Sequence, residues 1–232
     1  MKPSTSIAKC LRRCVLPLLP PRQRLPFKLW LYLRFEDPEV ELLHLDRLPT
    51  RPGPAIDVGA NMGFYALRMS RIFEQVYAFE INEEASRDLR ACNLPNVEII
   101  DVGLSNRVGG ATLYIPVLQC GLQLNGWGSL QSGNCPDAKK HIEKNVTVRP
   151  LDDFEITACS FLKIDVEGHE LSVLEGATQT ITRCRPVILI EMRNQNESKG
   201  CQQLESLGYR RTELKHLAGT LGTPGNFIFL PE

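Results

Sequence analysis

Hydrophobic and polar positions change their period along the chain near residue 55. Before it, "FKLWLYLRF" and "PEVELLHLDRL" space their apolar residues as short amphipathic helices, and "PTRPGP" is a turn-forming stop. After it, apolar runs of strand length alternate with helical periods. "AIDV", "VYAF" and "VEII" predict buried strands. Between them "GFYALRMSRIF", with Tyr65, Met69, Ile72 and Phe73 on one face, and "EEASRDLRAC" predict helices. Such a βαβαβ half requires a parallel sheet with right-handed crossovers.

Residues 106–150 break the rhythm. "ATLYIPV" and "NVTVRPL" read as two added strands flanking a Gly-, Asn- and Gln-rich mobile loop, "LQCGLQLNGWGSLQSGN". The alternation resumes with "FLKID", the helix "HELSVLEGATQTI", the strand "PVILIEM" and the helix "ESKGCQQLESL", stopped by Gly208. "YRRTEL" and "NFIFL" close the chain as an antiparallel pair. Residues 1–25, basic and punctuated by Pro, are expected to be loosely ordered. The division is a basic, partly helical N-terminal extension, residues 1–51, and an α/β domain, residues 52–232.

Composition narrows the function classes. At 232 residues the chain is long enough to bury a core without disulfide or metal staples. Lys plus Arg and Asp plus Glu both total 27, so no global field draws the chain to a nucleic acid, and no nucleic-acid partner is expected. Eight cysteines without a C-x-x-C pair suit free thiols in a reducing cytosol better than a zinc knuckle. "CVLPLLPP" is too short and Pro-rich for a signal peptide, and no run approaches the roughly 20 apolar residues of a transmembrane segment. A cytoplasmic location follows, and the sequons at Asn145 and Asn196 then carry little weight.

Candidate chemistry begins at "IDVGANMGFYA". Asp57, Gly59, Asn61 and Gly63 stand between a strand and a helix, where small residues let the backbone turn sharply and approach a ligand. Glu80 ends the second strand, placed to accept hydrogen bonds from a ribose. D-x-G-x-N-x-G is not the G-x-G-x-x-G of a dinucleotide fold, and an acid at Asp57 repels a pyrophosphate. An acid and an amide suit S-adenosylmethionine, whose amino-acid end carries an ammonium and a carboxylate. The plain alternative is that the glycines only permit close helix–strand packing.

"FLKIDVEGHE" crowds Asp165, Glu167, His169 and Glu170 at the mouth of the fourth strand, behind Lys163. Three readings stay open. Glu167 or Glu170 can complement the next helix's dipole while Lys163 forms a buried ion pair. Of the catalytic candidates Asp165, Glu167 and His169, His169 or Asp165 can be the general base, with a neighbour that orients it. Asp165, Glu167 and Glu191 can ligate magnesium, the less favoured reading because D-x-E-x-H is not a stereotyped metal spacing. Trp127, between loop glycines, is a candidate platform for a sugar or aliphatic chain, with packing the alternative. His44, His141 and His216 read as surface residues, Tyr65 and Phe79 as core.

"IDVGANMGFYA", "VYAFEINEEA", "NVEIIDVGLSNRVGGATLYI", "FLKIDVEGHELSVLEGA", "PVILIEM" and "GNFIFL" together resemble the FkbM-type methyltransferase family over about residues 55–230. The resemblance implies a Rossmann-like class I methyltransferase fold: a seven-stranded, mostly parallel sheet with one antiparallel strand and helices on both faces. It implies O-methylation of a hydroxyl on a small molecule, sugar or glycan, with S-adenosylmethionine as cofactor. On this pattern Asp57, Gly59, Asn61 and Gly63 wall the methionine part and Glu80 holds the ribose. Leu104 lines the adenine, Ser105 and Asn106 follow as a polar pair, and Asp165 lies beside the methyl. Gly103 departs from the family, which commonly has Ala there. The rival functions are a nicotinamide-dependent oxidoreductase, disfavoured by the missing G-x-G-x-x-G, and a non-catalytic nucleoside-binding module, against which the intact polar cluster at Asp165 argues.

Overall fold

The computed structural model describes residues 5–48, 50–132, 138, 140–193 and 195–232. Helices α1 (Thr5–Cys14), α2 (Pro21–Phe35) and α3 (Val40–Leu43) lead into β1 (Ala55–Val58), α4 (Phe64–Met69), β2 (Val76–Phe79), α5 (Glu83–Cys92) and β3 (Val97–Ile100). A small sheet follows: β4 (Gly103–Leu104), β5 (Gly109–Val117) and β6 (Lys140–Arg149). The remaining elements are β7 (Phe161–Ile164), α6 (Glu170–Gly176), α7 (Thr178–Cys184), β8 (Val187–Glu191), α8 (Gln195–Ser206), β9 (Tyr209–Thr212), α9 (Leu214–Ala218) and β10 (Asn226–Pro231).

The main sheet has seven strands in the order β3-β2-β1-β7-β8-β10-β9, and β10 runs antiparallel to both neighbours while the other pairings are parallel. The expected seven-stranded sheet with one reversed strand is therefore present. The order changes direction at β1: β2 lies on one side and β7 on the other, so a crevice opens at their carboxyl ends. The central strands are mostly apolar on both faces because both are covered, with Asp57 and Lys163 the buried charged exceptions. Ala55 and Phe161 point into one core layer with Leu25, Tyr65, Met69 and Leu89; Ile56, Val58, Leu162 and Ile164 point into the other with Val173, Leu174 and Ile181.

Several sequence expectations are corrected. Residues 1–25 are not loose throughout. Thr5–Cys14 is helical, and α2 starts with Pro at its first position, where a missing N–H costs nothing. Leu25, Leu29 and Leu31 of α2 are buried. Pro26 inside α2 cannot donate to the Arg22 carbonyl, and the Cys92 thiol of α5 donates to it instead (3.4 Å). The helix predicted over 63–73 ends at Met69. Arg71 and Ile72 then close tighter turns on the Arg68 and Met69 carbonyls, which rotates Ile72 outward to 37 % exposure while Phe73 stays buried. The helix after "FLKID" is two helices parted at Ala177, because Thr178 Oγ1 donates to the Leu174 and Glu175 carbonyls and the Asp152 carboxylate accepts from the Gln179 and Thr180 amides (2.9 and 2.7 Å), starting α7 afresh. Of the loop expected over 118–140, residues 133–137 and 139 lie outside the described residues. Residues 125–127 form a 3-10 turn that is tied down over the crevice rather than hanging free. Tyr65 and Phe79 are core, as read from the sequence.

Candidate active site

The crevice is built by three turns. After β1, the Gly59 and Ala60 amides both donate to the Phe79 carbonyl (3.0 Å each), which folds the chain back over β2. Gly59 has φ of 75°, and a Cβ there would stand 1.8 Å from the Asp165 carbonyl oxygen, so only glycine fits between the two turns. Asn61 takes the left-handed conformation that its short amide side chain tolerates (φ 52°). Gly63, also left-handed, packs against Leu89 and starts α4.

Glu80 is 8 % exposed, and its two carboxylate oxygens accept the Asn61 amide (2.7 Å) and the Asn82 amide (2.8 Å). Burial raises its pKa above the usual carboxylate value, against the opposing pull of those two amides. Asn61 Nδ2 donates to the Gly126 carbonyl (3.0 Å) and Asn82 Nδ2 to the Asn125 carbonyl (2.9 Å), so the 125–127 turn roofs the crevice. Each amide then leaves its Oδ1 buried with no donor among the described residues. A ligand rich in N–H and O–H groups is what such orphan acceptors require.

Of the residues singled out in the sequence, Gly59, Asn61, Glu80, Leu104, Asp165, Glu167 and His169 line one cleft. Asp57, Gly63 and Ser105 do not line it. The parallel register sets Asp57 beside Lys163, at 0 % exposure. Lys163 Nζ lies 3.6 Å from Asp57 and donates to Asp165 (3.2 Å), beneath the Tyr65 ring. Burial works against its charge, but Asp165 and Asp57 outweigh that and hold the ammonium above the ordinary lysine range, while burial raises Asp57. Lys163 is thus the buried partner that the carboxylates need, joining the turn after β1 to the one after β7 through their strands. Asp57 supports the floor and makes no wall. Ser105 Oγ is hydrogen-bonded to His169 Nε2 (2.9 Å), which draws His169 toward the β4 side of the cleft. Burial and then the Arg107 charge lower the His169 pKa.

Glu167 sits in a strained left-handed turn (φ 50°) followed by Gly168 (φ 100°). Its carbonyl accepts Ser129 Oγ (2.7 Å), and the Gly168 carbonyl accepts Gln131 Nε2 (2.6 Å) and Asn196 Nδ2 (3.2 Å). Glu170 Oε1 accepts the Gly168 amide (2.6 Å), so Glu170 braces this turn. Burial, then the Asp165 charge, push the Glu167 pKa up to about 7, with Arg193 at 3.6 Å pulling the other way. Glu191 is likewise raised, mostly by burial. Among the described residues no group of three or more His, Cys, Asp or Glu side chains is placed to hold a metal ion, so Asp165, Glu167 and Glu191 lack the arrangement that the magnesium reading needs.

Sequence reasoning missed Asn82, the 125–126 carbonyls and Gly176. Asn82 had a signal, since it stands as N-cap before "EEASRDLRAC". Gly176 had none: a Cβ there would lie 1.9 Å from the Ser105 carbonyl oxygen, a contact made only when α6 meets the chain after β4. Gly103 also has a local reason. A Cβ there would stand 2.6 Å from Ile81 Cδ1, so the bare backbone makes room for Ile81 at the cleft.

A doubly wound sheet of this order with a reversed strand, a glycine turn after β1 and an acid after β2 is the class I methyltransferase fold. The chain belongs to the methyltransferase FkbM domain family, whose profile matches residues 57–218. Among solved structures it is similar to a methyltransferase FkbM from Methylobacillus flagellatus (19 % identity, TM-score 0.56), covering 90 % of this chain and 52 % of that one, so it spans about half of that protein's length. It is also similar to an rRNA methylase from Streptococcus thermophilus (14 % identity, TM-score 0.47; 83 % and 93 % covered) and to TrmK of M. capricolum, solved with S-adenosyl-homocysteine (11 %, 0.42; 83 % and 67 %). A comparison with curated proteins finds no match. Among the described residues no helix is long and apolar enough to cross a membrane.

Proposed function

We propose that the chain binds S-adenosylmethionine in this cleft and transfers its methyl group to a hydroxyl of a small molecule, sugar or glycan. The observation that carries the reading is the cleft's unmet demand for donors: Glu80 and the orphan Oδ1 atoms of Asn61 and Asn82, enclosed by a turn that only Gly59 permits. Adenosine and an amino-acid ammonium offer O–H and N–H groups to such acceptors. Leu104, Ile81 and Val102 supply apolar walls. In this reading Glu80 holds the ribose, Asn61 and Asn82 take the remaining donors, and Asp57 acts from beneath through Lys163.

The bound cofactor supplies a methyl on a positively charged sulfur, open to in-line displacement. The chain's part is to align the acceptor, exclude water and take a proton. Among Asp165, Glu167 and His169, which all line the cleft, Glu167 is the best base, since its pKa near 7 lets it be ionised yet basic at working pH. With that cofactor bound, whose sulfur–methyl bond would break to leave a neutral thioether, Glu167 would take the proton released by the acceptor hydroxyl. Asp165, held by Lys163, keeps a negative charge beside Glu167 and thereby sustains its basicity. His169, held by Ser105, closes the β4 side.

Residues 1–51 are taken as an extension on a catalytic domain of residues 52–232, which the family match from Asp57 onward supports. A cytoplasmic setting suits the seven free cysteines among the described residues. Calorimetric titration with S-adenosylhomocysteine and, separately, NAD tests the cofactor. Binding of the first is expected, and binding of NAD alone would return the chain to the oxidoreductase reading.

A further inference from the structure

The zero net charge hides a division. The first 35 residues hold eight Lys and Arg and no Asp or Glu, leaving 19 basic against 27 acidic side chains in the rest. In α1, Ile7, Cys10 and Cys14 follow the i, i+3, i+7 spacing of one helix face. All three are exposed, Ile7 at 45 %, whereas Ala8 turns inward. Lys9 and Arg13 lie on one side of this stripe and are exposed, whereas Arg12 pairs with Glu36 at the end of α2 (2.5 Å). The turn Leu16–Leu18 presents Leu18 at 82 % exposure. Helix α2 adds exposed Arg22, Arg34 and Trp30, the indole held against Phe27 and Phe35 (ring centroids 5.7 and 5.5 Å apart).

We propose that α1, the Leu16–Leu18 turn and α2 form a docking face for an anionic lipid bilayer. Exposed apolar residues set among cations that outnumber the neighbouring anions, here Glu36 and Asp37 at the end of α2, are the mark of a helix lying in a membrane interface, and a surface Trp prefers the headgroup level. The opposite sign of the remaining chain orients this face toward a negative surface. A nucleic acid would use the same charges but leave Ile7, Leu18 and Trp30 uncovered. Helix α2 is itself anchored, since Leu25, Leu29 and Leu31 are buried and Lys28 pairs with Asp88 of α5 (2.5 Å), so the face is a fixed part of the protein.

The test is flotation of the full chain with vesicles of phosphatidylcholine alone and with vesicles containing about one-third phosphatidylserine. Binding is expected only to the second, weakening as salt rises. Lys9→Gln, Arg13→Gln and Arg22→Gln together are expected to lower partitioning about a hundredfold, at roughly fivefold per charge, while Arg13→Lys with Arg22→Lys retains it. Leu18→Ser should weaken binding, and brominated lipid should quench fluorescence in the wild type but much less in Trp30→Phe. Unfolding curves establish that each variant is folded. No binding to anionic vesicles, equal binding to both vesicle types, or full binding by the folded triple variant overturns the proposal. Tighter binding to RNA than to vesicles, indifferent to Leu18→Ser, also overturns it and reassigns the face to a nucleic acid.

Discussion

Glu80→Gln separates a ligand-binding acid from a brace of the turn. The carboxylate accepts two backbone amides, from Asn61 and Asn82, at 2.7 and 2.8 Å, with little exposure to water. Glutamine keeps the shape but offers one oxygen, so one amide faces an NH2 group and a buried donor loses its partner. That costs stability about 1–3 kcal/mol. If the same carboxylate also accepts ribose hydroxyls, losing its charge weakens S-adenosylhomocysteine by about 1.5–3 kcal/mol more, roughly ten- to hundredfold in Kd. Thermal unfolding reads the first effect and calorimetry below the melting range reads the second. A dideoxyribose analogue closes the cycle: it should bind wild type and variant with nearly equal affinity, because the hydroxyls that sense Glu80 are gone. A variant with a lowered Tm and an unchanged Kd for S-adenosylhomocysteine would refute the ribose role and leave Glu80 as a brace only.

Glu167→Gln is expected to lower kcat by about 10²–10⁴ with little change in S-adenosylhomocysteine affinity, as measured by turnover and titration. In the wild type the rate should rise with pH through about 7 as Glu167 loses its proton. A limb below the ordinary histidine value would instead point to His169, whose pKa is lowered. The stability sign is opposite. Because the folded pKa of Glu167 is raised from 4.5 to about 7, the stability it contributes is present below the unfolded value and is lost as pH rises through about 7. Urea melts across that range should show the decline in wild type and less of it in Glu167→Gln. Lys163→Met leaves Asp57 buried without its cation and should cost about 3–5 kcal/mol, with Asp57→Asn in the same chain restoring part of it. Gly176→Ala should disturb the Ser105 loop and lower both Tm and cofactor affinity, whereas alanine at Gly219, with no atom within 4 Å of its Cβ, meets only the backbone strain of its φ of 74°.

Strand and helix order was legible in the chain because the central strands β1, β2, β7 and β8 are covered on both faces and read as short, mostly apolar runs. The glycine turn and the acid after the second strand were legible because backbone geometry at Gly59 and charge at Glu80 are demands on single residues. Helix ends were not. The stop at Met69 and the break at Ala177 depend on i→i+3 closures and on Asp152, 28 residues upstream of Thr180, none of which periodicity registers. The division of labour among the acids was also invisible. Asp57 and Asp165 look alike as strand-end carboxylates, yet register puts one beside Lys163 beneath the cleft and the other at its mouth.

The sequence by itself determined the doubly wound sheet, the location of the cleft and the family, since these rest on local patterns that burial enforces strand by strand. Only the tertiary structure decided which oxygens face the ligand, that the 125–127 turn roofs them and that Glu167 titrates near neutrality. Those properties come from groups far apart in the chain sharing one poorly solvated space, where a neighbour's charge or an unmet hydrogen bond sets the chemistry.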